Sequence, residues 1–149
     1  MKKYEILEHP AELRIRVFGK TKEELFKNAA LAMANILSRG STSQILKKIS
    51  EEVKPSKVEI KSTDINTLLV DFLNDILAKG QINKCIYSVS DIRLNASCSI
   101  LHASCVGHPV DHFDEDIKAV TYQDVDIKLI TQNSLLKTKL WQTDLVFDI

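Results

Sequence analysis

Ile65, Leu68, Leu69, Phe72, Leu73, Ile76 and Leu77 recur at i, i+3, i+4, i+7 and i+8 without a misfit. That spacing gathers the side chains into one stripe of a 3.6-residue helix, and such a stripe has to be covered by another layer. Asp64 stands where an N-cap carboxylate accepts from a free N–H, and Gly80 stands where a helix C-cap favours glycine. A second helix is marked by Thr21 and Glu24, which fit a capping box. Leu25, Phe26, Ala29, Ala30, Met33, Ile36 and Leu37 follow at helical spacing, and this helix is expected to end near Ser38.

The remaining patterned segments have the period of strands. Leu13-Arg14-Ile15-Arg16-Val17 alternates apolar and basic residues, as a half-buried strand does. Tyr4–Leu7, Val58–Ile60, Ile86–Leu94, Ala96–Val106, Ala119–Tyr122, Val125–Ile130 and Leu145–Ile149 read as further strands, with Gln132-Asn133-Ser134 as the turn of a late hairpin. The order strand, helix, strand, helix and then a run of strands disfavours a doubly wound parallel sheet. The expected fold is α+β, a two-layer sandwich in which a mostly antiparallel sheet carries two helices on one face. A single domain over residues 1–149 is expected, long enough to bury its own core without a disulfide or structural metal. The polar stretch Arg39–Lys54 is expected to be a surface loop.

Twenty Lys and Arg against twenty Asp and Glu give no net charge. This argues against a broad nucleic-acid-binding face and against electrostatic attachment to a membrane. No apolar run reaches the ~20 residues of a membrane helix, and the charged start leads into no signal-peptide core. Cys85, Cys98 and Cys105 form no C-x-x-C pair and alternate with apolar neighbours, so they read as buried structural thiols in a reducing cytoplasm. The glycine clusters of phosphate-binding loops, G-x-S-x-G and H-E-x-x-H are all absent.

Two polar groups are left. His108, Asp111 and His112 lie in Gly107–Asp116, where imidazoles four apart beside carboxylates suit a transition metal only on a helix. Pro109 and the missing apolar stripe favour a solvated loop, and a metal-dependent hydrolase using these three residues is the alternative reading. The second group is dispersed: His9 and Glu12, Lys118 and Thr121, Asp144 and Asp148.

Five segments in order carry a resemblance to a known family. They are Tyr4 to Glu12, the Gly19–Ala30 stretch GKTKEELFKNAA, the Leu69–Leu77 stretch LVDFLNDIL, Lys118-Ala119-Val120-Thr121-Tyr122, and the ending Val146-Phe147-Asp148-Ile149. Together they resemble the archease family over nearly the whole length. Glu12 stands where the family has Asp, Pro10 where it has Thr, and Gln123 where His commonly follows the Lys118–Tyr122 motif.

The resemblance implies a small cytoplasmic protein cofactor rather than an enzyme, one that assists the RNA-splicing ligase in tRNA splicing. Its implied role is to promote guanylylation of the ligase histidine and multiple turnover. The implied site is acidic and takes a divalent cation, calcium first, with magnesium or manganese as substitutes. Carried over, its ligands are Glu12, Asp148 and Ile149, with His9 and Lys118 as contacts for activation or for a guanine nucleotide at the ligase. Hard cations take several oxygen ligands, and two carboxylates with a terminal one supply them. A metal-free binding or chaperone-like module on the same fold is a further alternative.

The apolar stripe yields its own test. Phe72→Asp places an unpaired carboxylate at the stripe's centre and removes aromatic packing. The variant is expected to unfold or to melt far below the wild type, and an unchanged melt would show that the stripe faces solvent.

Overall fold

Both helices start at the caps read from the sequence. In the computed structural model, which describes residues 2–7, 12–41, 54–133 and 135–149, Thr21 Oγ1 accepts from the Glu24 N–H at 3.0 Å and α1 runs from Lys22 to Leu37. Glu24 returns its carboxylate to the Lys20 N–H rather than to Thr21. Asp64 accepts from the Thr67 N–H at 2.8 Å and opens α2, Ile65–Asn83. That hydrogen bond also holds the Asp64 carboxyl below its ordinary pKa.

The expected stop at Gly80 is overturned. α2 continues to Asn83 and closes at Lys84, whose φ of 53° is left-handed and whose N–H reaches the Gly80 carbonyl. Gly80 serves a close approach instead, because a Cβ there would lie 2.6 Å from the Cys85 carbonyl oxygen.

Eight strands accompany the helices among the described residues: β1 (Tyr4–Leu7), β2 (Leu13–Gly19), β3 (Lys54–Lys61), β4 (Cys85–Leu94), β5 (Ile100–Pro109), β6 (Ala119–Val120), β7 (Lys128–Asn133) and β8 (Thr138–Asp148). Every strand pairing is antiparallel. The strands divide between two sheets rather than forming one. The first runs β1-β2-β8-β6 with β7 also on β8, and the second runs β3-β5-β4. α1 packs on β2 and β4, and α2 packs on β3, β4, β5 and β6, so both helices bridge the two sheets. The fold is α+β with antiparallel sheets.

Several strand limits move for local reasons. β5 begins at Ile100 because the Asn95 side chain accepts from the Ser99 and Ile100 N–H groups, closing a turn with Cys98 at φ 54°. β7 begins at Lys128 because side chains claim the preceding N–H groups: Thr143 Oγ1 takes that of Asp126 and Asn66 Oδ1 that of Ile127. β6 shrinks to Ala119–Val120, although the Thr121 N–H still reaches the Val146 carbonyl at 2.9 Å. β8 extends back from the expected Leu145 to Thr138, and Gln132 and Asn133 lie in β7 rather than in the turn, which falls at Leu135–Lys137. Most of the expected Arg39–Lys54 loop, residues 42–53, lies outside the described residues.

One core joins the parts. Leu68, Leu69, Phe72 and Leu73 of α2 are fully buried together with Leu25 and Phe26 of α1, Ile15 of β2 and Phe147 of β8. The Phe26 and Phe72 rings stack at a centroid distance of 6.4 Å. Cys85, Cys98 and Cys105 are all buried free thiols, and burial pushes the Cys105 thiol up to about 11. Among the described residues no helix is long and apolar enough to cross a membrane.

Gly80→Ala sets two effects against each other. Helix propensity favours alanine by about 1 kcal/mol, whereas the new Cβ collides with a main-chain carbonyl that cannot swing aside. The expected outcome is a net loss of roughly 1–3 kcal/mol in chemical denaturation. A gain in stability would show that the end of α2 yields freely.

Candidate functional site

β8 carries the acidic end of the molecule. Its register against β2 sets Leu13 opposite Phe147, Arg14 opposite Val146 and Arg16 opposite Asp144. Alternation then turns Leu145 and Phe147 into the core and Asp144, Val146 and Asp148 outward. Leu145 and Phe147 are indeed fully buried and Asp148 is exposed. Val146 is fully buried as well, although its face is the outer one. The Arg14–Asp124 ion pair, 2.7 Å long, lies at this point, since Arg14 is the residue opposite Val146.

Charge on this outer face is ordered as a ladder. Arg16 grips Asp144 with two hydrogen bonds, Nε at 2.8 Å and an Nη at 3.2 Å, and lies 3.9 Å from Glu5. That two-point contact holds the Arg16 guanidinium above its ordinary pKa. Arg14 is committed to Asp124. Both nearby cations are therefore engaged by other carboxylates, and among the described residues no ion pair or hydrogen bond engages the Asp148 carboxylate. Glu12 directly precedes Leu13, so it enters β2 beside the Asp148 end of β8. Sequence reasoning passed over Arg14 and Arg16 as the polar half of an alternating strand. Nothing local signals their partners, which lie 110 and 128 residues away.

Lys118 comes to Asp148 through its main chain. Its N–H donates to the Asp148 carbonyl at 2.7 Å, and Ala119 and Val120 of β6 pair with Asp148 and Phe147. Ala119 is thus the residue sharing a face with Asp148, and Lys118, exposed, lies just before β6. Among the described residues no carboxylate forms an ion pair with Lys118. Ile149 follows Asp148 and is 41% exposed. His9 and Pro10 lie outside the described residues.

Polar side chains of α2 hold the segment from Ile117 to Ile127 in place. Gln81 Nε2 donates to the Ile117 carbonyl at 2.9 Å. Asn74 uses both ends of its amide, donating from Nδ2 to the Val120 carbonyl and accepting at Oδ1 from the Val120 N–H, each at 2.8 Å. Tyr122, though half exposed, donates its hydroxyl to Asp71, which also accepts from Ser62 Oγ at 2.6 Å. The hydrogen bond to Asp71 raises the Tyr122 pKa, because the phenol must keep its proton to make it.

The histidine group is dispersed rather than convergent. His108 sits in β5, buried, with Nε2 at 3.0 Å from Ser88 Oγ and Nδ1 without a partner. His112 is exposed and lies 3.0 Å from Asp114. Among the described residues no three His, Cys, Asp or Glu side chains are grouped to hold a metal, so the hydrolase site at His108, Asp111 and His112 is not assembled. Gly107–Pro109 complete β5 and are no part of the expected loop, which is confined to the residues after them.

With this geometry in view, the comparisons agree with one another. Residues 4–149 match the Archease protein family (MTH1598/TM1083), and the chain belongs to that family. It is 32% identical to the protein archease of Methanosarcina barkeri, covering 99% of this chain and 97% of that one. Identity to the protein archease of Pyrococcus furiosus is 27%, with both chains covered in full. The fold is also similar to the solution structure of Methanobacterium thermoautotrophicum protein 1598, at TM-score 0.69 and 23% identity with 100% of each chain covered. It further resembles the crystal structure of a Thermotoga maritima archease described as a possible chaperone, at TM-score 0.60 and 16% identity with 96% and 94% covered.

His108 gives the structure a testable pH response. Burial lowers its pKa below the ordinary 6.5, so on acidification the unfolded chain takes up a proton that the folded one refuses. Stability is therefore lost as pH falls through and below that value. The melting temperature should drop between pH 7 and pH 5, and His108→Gln should flatten that part of the drop. Identical pH profiles for the two proteins would show that His108 charges freely in the folded state.

Proposed function

We propose that this protein is a non-enzymatic activator of an RNA-splicing ligase in tRNA splicing, promoting guanylylation of the ligase histidine and multiple turnover. The observation that carries the reading is the meeting of β6 with β8, in which the Lys118 main chain is bonded to Asp148 within a chain of the archease family. On this reading the exposed Lys118 amine contacts a phosphate of the guanine nucleotide at the ligase active site. Glu12, Asp148 and the Ile149 carboxylate are the donors for a divalent cation, calcium first, with magnesium or manganese able to substitute. Their fit rests on donor chemistry: hard oxygen groups at one strand end, with Arg14 and Arg16 already engaged elsewhere. When bound, the cation supplies positive charge that offsets the carboxylates and attracts phosphate oxygens. His9, which lies outside the described residues, is the further contact this reading takes from the family motif. The zero net charge supports contact with a ligase rather than a direct grip on RNA.

A metal-free, chaperone-like module is the second reading, favoured by the description given to the Thermotoga maritima relative. One assay separates the two. A purified RNA-splicing ligase, present at less than one molecule per RNA, is followed with and without this protein. Multiple turnover only in its presence is the expected result, and unchanged turnover with well-folded protein would overturn the proposal. Lys118→Ala should melt within about 1 kcal/mol of the wild type yet lower the stimulation by roughly tenfold or more. Asp148→Asn should weaken calcium binding in calorimetric titration, and equal affinity in both proteins would remove Asp148 from the site.

A further inference from the structure

We propose that Asn74 is a positioning residue, setting β6 so that Lys118 stands at the end of β8. Its functional meaning rests on the reading just given; its structural claim does not. β6 has only two residues, and its pairing with β8 covers only Ala119 and Val120. A strand this short makes too few ladder bonds to fix its own place. Its other edge faces α2, where another strand would ordinarily lie. There the Asn74 carboxamide closes both main-chain groups of Val120 with two 2.8 Å bonds. A primary amide carries the donor and acceptor of a peptide group, so Asn74 acts as a single residue of a missing strand.

Reach and orientation single out this side chain. The buried neighbours Phe72, Leu73, Ile76 and Leu77 fix the rotation of α2, which holds Asn74 toward β6. Aspartate there keeps the acceptor for the Val120 N–H but lacks the donor, and alanine lacks both. On the far side of β6 the Lys118 N–H bonds the Asp148 carbonyl and the Thr121 N–H bonds the Val146 carbonyl. Any drift of Val120 away from α2 therefore moves Lys118 relative to the acidic end. Asn66 makes the same kind of contact from the same helix, but to Ile127, beyond this segment.

The test compares amide hydrogen exchange in the wild type, Asn74→Ala, Asn74→Asp and Asn66→Ala. Asn74→Ala is expected to speed exchange at Lys118, Val120 and Thr121 by about tenfold or more, while Ile15 and Leu145 keep their rates. Asn74→Asp, which retains one of the two bonds and gives a second variant should alanine fail to fold, is expected to lie between. Asn66→Ala should affect Ile127 and leave Lys118 protected. Unchanged Lys118 and Thr121 exchange in both Asn74 variants would overturn the proposal. Ligase stimulation is then read at matched stability, where Asn74→Ala should lose it and Asn66→Ala should not. Equal stimulation by the two would overturn the functional half. Absent stimulation by the wild type would sink the activator reading alone, because the exchange pattern still decides the role of Asn74.

Discussion

The placement of β8 is the constraint on which the rest of the molecule depends. Its eleven residues pair with β2 on one edge, and on the other edge with β7 at the start and β6 at the end. Leu145 and Phe147 enter the core from it, and their burial fixes the register. A slip of one residue would carry Phe147 to the surface and Asp148 into the core, so the hydrophobic pattern enforces the position of the carboxylate. The acidic end is thus ordered by the burial of its neighbours and by the Lys118 main chain, with no ion pair or hydrogen bond to the Asp148 carboxylate among the described residues.

α2 contributes in a second way, as a rail of amides and carboxylates beside its apolar stripe. Asn66, Asp71, Asn74 and Gln81 each meet the segment from Ile117 to Ile127. A strand would bond at every second residue, whereas a helix side offers a partner only where its turn brings one round. The segment is therefore held at points, and between them it can arch outward with Asp124 at φ 61°. Asp124 of this arch pairs with Arg14, which stands opposite Val146.

What was legible in the sequence follows from the range of each interaction. The caps at Thr21 and Asp64 and the apolar stripes act within a few residues, and the helices begin where those signals lie. The centres of the strands were legible for the same reason. Gly80 misled because a glycine late in a helix serves equally as a terminator or as a place for close approach, and only the fold brings Cys85 against it. The division into two sheets was not legible, because alternation shows which face is buried but not which strand lies alongside. Of the candidate site, Asp148 and the Lys118 segment were visible through the family motifs. The Arg14–Asp124 and Arg16–Asp144 pairs join residues more than a hundred positions apart, and no local pattern encodes them.

The balance of charge on the outer face of the first sheet bears on what that face is for. Among the described residues Glu5, Asp124 and Asp144 are paired with Lys2, Arg14 and Arg16, and Lys128 stands on the same face opposite Gln142. The two-point Arg16–Asp144 contact is the strongest of these pairings. A face built for stability alone would repeat that contact along the strand. Here the pairing stops short of Asp148, where the strand end is fixed by Phe147 on one side and by the Lys118 main chain on the other. An exposed carboxylate on a fixed strand end, with no cation paired to it among the described residues, is a condition that favours an incoming cation or cationic group, which supports the proposal that this end of β8, rather than the histidines of β5 and its loop, is the working surface.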